Sequence, residues 1–123
     1  MAKILVCDNV ALMRMQIKDM LTKAGHQIIG EASNGSEVVE KYKELKPDLI
    51  TLEIGMPEMD GYQTIQELKS VNPEVKVLVC SATRDQDVVI KSFMAGAKDF
   101  IVKPLKIDRL TQSIYNTLDK TLA

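Results

Sequence analysis

"PDLITLEIGMPEMDG", residues 47–61, decides the architecture of this chain. An apolar, β-branched run ends at the acid Glu53, and a Met-Pro pair and an Asp-Gly turn follow. A run this short, bounded by turn residues, predicts a strand buried on both faces. Its acid then meets solvent at the carboxyl end of the strand, where α/β proteins place their chemistry.

Four more runs of strand length surround it. In chain order the set is "KILVCD" (3–8), "QIIGEA" (27–32), "DLITLE" (48–53), "KVLVCS" (76–81) and "DFIVK" (99–103). The first, third and fourth are the most continuously apolar, as expected for the interior of a sheet. Between the runs the period changes to that of helices. Met13, Ile17, Met20, Leu21 and Ala24 share one face, and Gly25 supplies the stop. Val38, Val39, Tyr42 and Leu45 form a second stripe before Pro47, and Ile65 and Leu68 mark a third before Asn72-Pro73. Val89, Ile90, Phe93 and Met94 form a fourth that ends at Gly96, and Ile107, Leu110, Ile114 and Leu118 a fifth. Alternation of this kind predicts a parallel sheet with right-handed crossovers and helices on both faces. The expected fold is therefore a doubly wound, flavodoxin-like (βα)₅ unit of strand order 2-1-3-4-5, with residues 1–123 forming one domain.

Composition bounds the function. The chain has 123 residues, 46% hydrophobic and 27% charged, with a formal net charge of -1. Such a balance fits a water-soluble domain and offers no basic excess for a nucleic-acid backbone. Cys7 and Cys80 sit inside apolar runs and read as buried hydrophobes, not as a disulfide. The opening "MAKILVCDN" is neither a signal peptide nor a membrane span, so the expected location is cytoplasmic, with no membrane partner.

Four of the five strand ends bring five polar side chains to one edge. The first delivers Asp8 and Asn9, the third Glu53, the fourth Ser81 and the fifth Lys103. Taken singly, Asp8 or Asn9 reads as a helix cap, Ser81 as a loop hydroxyl and Lys103 as a surface charge. Taken together, at the point where the strand order reverses, they read as a site.

These stretches resemble the response-regulator receiver domains, especially the single-domain chemotaxis regulators of the CheY type. The likeness lies in "ILVCDN", "LMRMQIKDMLTKAG", "PDLITLEIGMPEMDG", "VCSAT" and "AGAKDFIVKP", which together span nearly the whole chain. The resemblance implies a signalling module of two-component phosphorelays, not an enzyme. In such a domain an acceptor aspartate takes a phosphoryl group from phosphohistidine on a kinase, with Mg²⁺ and a lysine neutralising the charge in transfer. Carried over by position, Asp8 and Asn9 occupy the acidic pair, Glu53 the acceptor, and Gly55 the carbonyl ligand of the metal. Ser81 takes the place of the switch hydroxyl, Phe100 of the switch aromatic and Lys103 of the charge clamp. Pro104 falls where the family usually has a cis peptide bond. The implied partners are a sensor histidine kinase and a downstream protein at the face made by the fourth helix, fifth strand and fifth helix.

Two positions depart from the pattern. Asn9 stands where the family usually has a second acid, which implies weak Mg²⁺ binding. Glu53 stands where it has the acceptor aspartate, and its extra methylene moves the nucleophilic oxygen by about 1.5 Å. In-line transfer tolerates little misplacement, so Glu53 is expected not to be phosphorylated and the module to act by protein-protein contact. A phosphorylation-competent regulator, or an Asp-to-Glu exchange made in an ordinary one, is the competing reading. The longer carboxylate is expected to reach Lys103 without locking the domain. That leaves Phe100 turned outward and Ser81 away from the site at rest. Two other classes fit less well. A flavin protein needs a hydroxyl-rich phosphate loop where this chain has "DNVALM", and a related phosphatase needs an acid where it has Val10.

Overall fold

The structure is a computed structural model that describes residues 1–118. Along it run β1 (Lys3–Cys7), α1 (Ala11–Lys23), β2 (Gln27–Ala32), α2 (Gly35–Leu45), β3 (Leu49–Leu52), α3 (Gly61–Val71), β4 (Val77–Ser81), α4 (Gln86–Ala95), β5 (Asp99–Val102) and α5 (Ile107–Thr117). The strands form one parallel sheet of order β2-β1-β3-β4-β5, the doubly wound flavodoxin-like arrangement that the alternation predicts. All of β3 and β4 is buried, as is β1 beyond Lys3, whereas the edge strands β2 and β5 are partly exposed.

The two-residue period of the strands sends alternate side chains into two cores. Leu5, Cys7, Ile50, Leu52, Val77, Val79 and Phe100 pack with α2 and α3, and Val88 and Val89 of α4 lie against them. Ile4, Val6, Leu49, Leu78, Cys80 and Ile101 pack with Ile17 and Leu21 of α1 and Leu110 and Ile114 of α5. The helices thus cover both faces, and the carboxyl edge of the sheet is left for loops.

Helix ends follow local chemistry. Gly25 at φ +90° and Gly96 at φ +120° follow α1 and α4, in backbone regions that side chains avoid. Asn34 caps α2 by accepting from the Glu37 N–H at 3.0 Å, while Glu37 accepts in return from Ser33 N–H at 3.1 Å.

Two apolar stripes differ from expectation. In α4, Ile90, Phe93 and Met94 are exposed at 49%, 45% and 81%, and the buried residue is Ser92. Its hydroxyl satisfies itself on the Val88 carbonyl at 2.8 Å. The helix spans only 10 residues and is apolar almost all round, so periodicity gives no preference for one face. In α5, Ile107 at the first position is exposed, and Leu110, Ile114 and Leu118 carry the packing.

Candidate functional site

The strands stop one residue short of the chemistry. Asp8, Glu53 and Lys103 each directly follow the last residue of their strand, and the backbone ladder still holds them. Asp8 N–H donates to Ala32 O at 3.0 Å, Glu53 N–H to Cys7 O at 2.9 Å and Lys103 N–H to Ser81 O at 2.8 Å. Three side chains from β1, β3 and β5 are thereby aimed at one point.

They meet there. The Lys103 ammonium donates to Asp8 Oδ2 at 2.7 Å and to Glu53 Oε1 at 2.9 Å. The second oxygens are taken too: Asp8 Oδ1 accepts from Val10 N–H at 2.9 Å and Glu53 Oε2 from Gly55 N–H at 3.3 Å. Asp8 is fully buried, and the Lys103 and Glu53 side chains are 11% and 14% exposed. Burial alone would pull the lysine's pKa down, but the bonds to Asp8 and then Glu53 outweigh it and hold the ammonium above its ordinary value. One ammonium between two carboxylates leaves the set with one negative charge. The Lys103-Pro104 bond is cis, as the resemblance implies.

Cys80, one residue before Ser81 on β4, has its thiol pushed up to about 12, chiefly by burial. Cys7 and Cys80 are both free and buried, as their apolar surroundings predict.

Ser81, Asn9 and Gly55 line an open cleft of about 410 Å³ beside Glu53. Ser81 is buried, accepts weakly from Thr83 N–H at 3.5 Å and makes no hydrogen bond with Glu53 among the described residues. Phe100 differs from expectation: it is 7% exposed and belongs to the core with Val79, its partner on β4. Its ring carries no hydroxyl to keep near water, so nothing opposes its burial.

Among the cleft residues that the sequence reading missed, Asp60, Tyr62 and Thr83 carry polar side chains. Asp60 caps α3, accepting from Tyr62 N–H at 2.7 Å, and so brings the Tyr62 ring to the wall. Burial, Asp60 and then Asp85 push the phenol's pKa up. The Asp-Gly pair that opens α3 is the signal that could have placed Tyr62 here.

Asp8, Glu53, the Asn9 amide oxygen and the Gly55 carbonyl are oxygen donors of the kind a hard cation takes. No group of three His, Cys, Asp or Glu able to hold a metal occurs among the described residues, and the acids present already share Lys103. The donor set is the right type and one acid short.

The response regulator receiver domain model matches residues 4–115. The chemotaxis protein CheY of Thermotoga maritima is 51% identical over 112 residues, covering 91% of this chain and 93% of that protein. The CheY of Bacillus subtilis is 49% identical, covering 95% and 98%. Among solved structures, the CheX-CheY-BeF3-Mg complex from Borrelia burgdorferi superposes with a TM-score of 0.89 at 32% identity, over 93% of this chain and 87% of that one.

Proposed function

This chain belongs to the response regulator receiver domain family, as a CheY-like module of two-component systems, and we propose that it signals by protein contact without phosphorylation of Glu53. The observation that carries this reading is the bridge of Lys103 to both Asp8 and Glu53. Glu53 extends its carboxylate onto the ammonium that would otherwise meet an incoming phosphoryl group. It is therefore badly placed as a nucleophile and serves as a fixed charge.

The resting domain offers one conformation, or a biased balance of two, to its partner. A sensor kinase or a downstream protein is the natural partner class, and the face of α4, β5 and α5 the natural surface. Support comes from Ile90, Phe93 and Met94 on α4 and Ile107 on α5, all large apolar side chains left exposed there. Residues 1–123 act in this reading as a single receiver domain.

Mg²⁺ belongs to the proposal as a weak ligand. Asp8, Asn9, Glu53 and Gly55 would hold it, and bound there it would add positive charge beside the acceptor. Asn9→Asp restores an acid and is expected to tighten Mg²⁺ binding, read by calorimetric titration. Equal affinities would place Asn9 away from the ion.

The competing reading, a phosphorylation-competent Glu53, draws on the open cleft beside it, which is large enough for a small phosphodonor. Intact mass after incubation with Mg²⁺ and acetyl phosphate separates the two. We expect no adduct on the unaltered chain and at least partial labelling of Glu53→Asp. A stable adduct mapped to Glu53 would establish the competing reading.

A further inference from the structure

Asp8 is held at all its polar groups, and the fourth hold comes from a residue outside the strand ends. Besides its bonds to Ala32, Val10 and Lys103, its carbonyl accepts from Arg14 Nη1 at 2.7 Å. Arg14 is itself gripped from the other side. Its Nε donates to Glu31 Oε1 at 3.1 Å, and the second oxygen of Glu31 takes Lys18 at 2.8 Å. A continuous path of polar contacts then runs from β2 through α1 to the β1–α1 turn, and on through Lys103 to Glu53.

From this geometry we propose that Arg14 is a positioning residue for the site: it fixes the turn at Asp8 so that the Asp8 carboxylate meets the Lys103 ammonium. The proposal rests on the reading above that the Lys103 bridge defines the resting site. Two nitrogens of one guanidinium act at once, one on a main-chain carbonyl and one on a carboxylate. A lysine ammonium gathers its donors at one point on a flexible stem, whereas the planar fork holds Nε and Nη1 apart in a fixed relation that matches these two acceptors, so charge alone does not fulfil the role. The carbonyl bond is charge-assisted and short, and it restrains a turn whose next residue, Asn9, is exposed and lines the cleft. The ion pair with Glu31, by contrast, is partly solvated and adds little by itself; its use is to aim the fork.

The test reads Lys103 directly. Protons of the Lys103 ammonium, shielded between two carboxylates, are followed by NMR in protein labelled with ¹⁵N-lysine, and Lys103→Met identifies the signal by removing it. Arg14→Ala and Arg14→Lys are both expected to speed exchange of these protons with water on the order of tenfold, the loss of one charge-assisted bond. Lys18→Ala, which also strips a partner from Glu31, is expected to leave the exchange unchanged. Should Arg14→Ala not fold, Arg14→Lys decides. Unchanged Lys103 exchange in a folded Arg14 variant, or full rescue by lysine, would overturn the positioning role. Neither outcome depends on whether Glu53 takes a phosphoryl group, which the mass measurement decides separately.

Discussion

Thr51 carries the one buried side-chain oxygen without a hydrogen-bond partner among the described residues. It sits in the middle of β3, between Val6 of β1 and Leu78 of β4, where its surroundings are apolar. An unsatisfied buried hydroxyl costs roughly 1–3 kcal/mol. Thr51→Val keeps the shape and removes the polar atom, so we expect stability to rise by about 1 kcal/mol in urea denaturation. A loss of stability would mean that the hydroxyl has a partner after all. Lys103 presents the opposite case, because its removal leaves Asp8 and Glu53 facing each other with little solvent. Lys103→Met is expected to destabilise by about 3 kcal/mol, and Lys103→Met with Glu53→Gln by less, since one of the two stranded charges is then gone. At this scale much was legible from the sequence. The strand-end positions and the reach of Glu53 to Lys103 follow from spacing and side-chain length. Asp8 as the nearer partner of Lys103, Arg14 behind it and the inward Phe100 do not, because they depend on how helices settle onto the sheet.

Elements are set by their ends as much as by their faces. α2 closes on Lys46, whose φ of 49° lies in the left-handed region while its N–H bonds back to Tyr42 O. Pro47 stops the helix after it, so the chain turns at a residue with a side chain where glycine is the usual choice. Lys46→Gly relieves that conformation, and we expect a gain of about 0.5–1 kcal/mol, less than the full left-handed penalty because glycine is also freer when unfolded. Thermal unfolding against Lys46→Ala, which keeps the Cβ and should gain nothing, separates backbone relief from loss of the lysine side chain. The stripes of α1, α2 and α3 could be read from sequence because polar residues interrupt them. α4 could not, because "VVIKSFM" offers apolar side chains in nearly every direction and the sheet takes Ser92. Of that stripe Val89 lies against the core, and Ile90, Phe93 and Met94 are left as the exposed apolar surface that the proposed reading assigns to a partner.

Across the whole molecule, charge closes what packing leaves open. β5 is an edge strand, and α5 is tied to it by Asp99, whose carboxylate accepts from Arg109 at 3.0 and 3.2 Å, from Ser113 at 2.7 Å and from Phe100 N–H at 2.8 Å. Burial pushes the Asp99 carboxyl up, but those bonds outweigh it and leave its pKa below the usual range. A depressed carboxyl contributes stability that is present above its unfolded value, about 3.9, and lost as pH falls through the lower folded value. Asp99→Asn is therefore expected to flatten the acid limb of the stability profile. The alkaline limb has a different origin. Burial raises the Cys7 thiol and pushes Cys80 up to about 12, so both stay neutral in the folded chain while the unfolded thiols ionise near about 8.5. A raised group contributes stability that is complete below its unfolded value and lost as pH rises toward the folded one. Each thiol then removes about 1.4 kcal/mol per pH unit once the unfolded form titrates, well before Lys103, also raised, begins to count above about 10.4. Urea denaturation from pH 7 to 11 is expected to show stability falling from about pH 8.5 in the unaltered chain. In Cys7→Ala, Cys80→Ala protein, which is less stable at neutral pH for the lost packing, the fall is expected to begin nearer pH 10. An alkaline limb that starts at the same pH in both would assign it to groups other than the buried thiols.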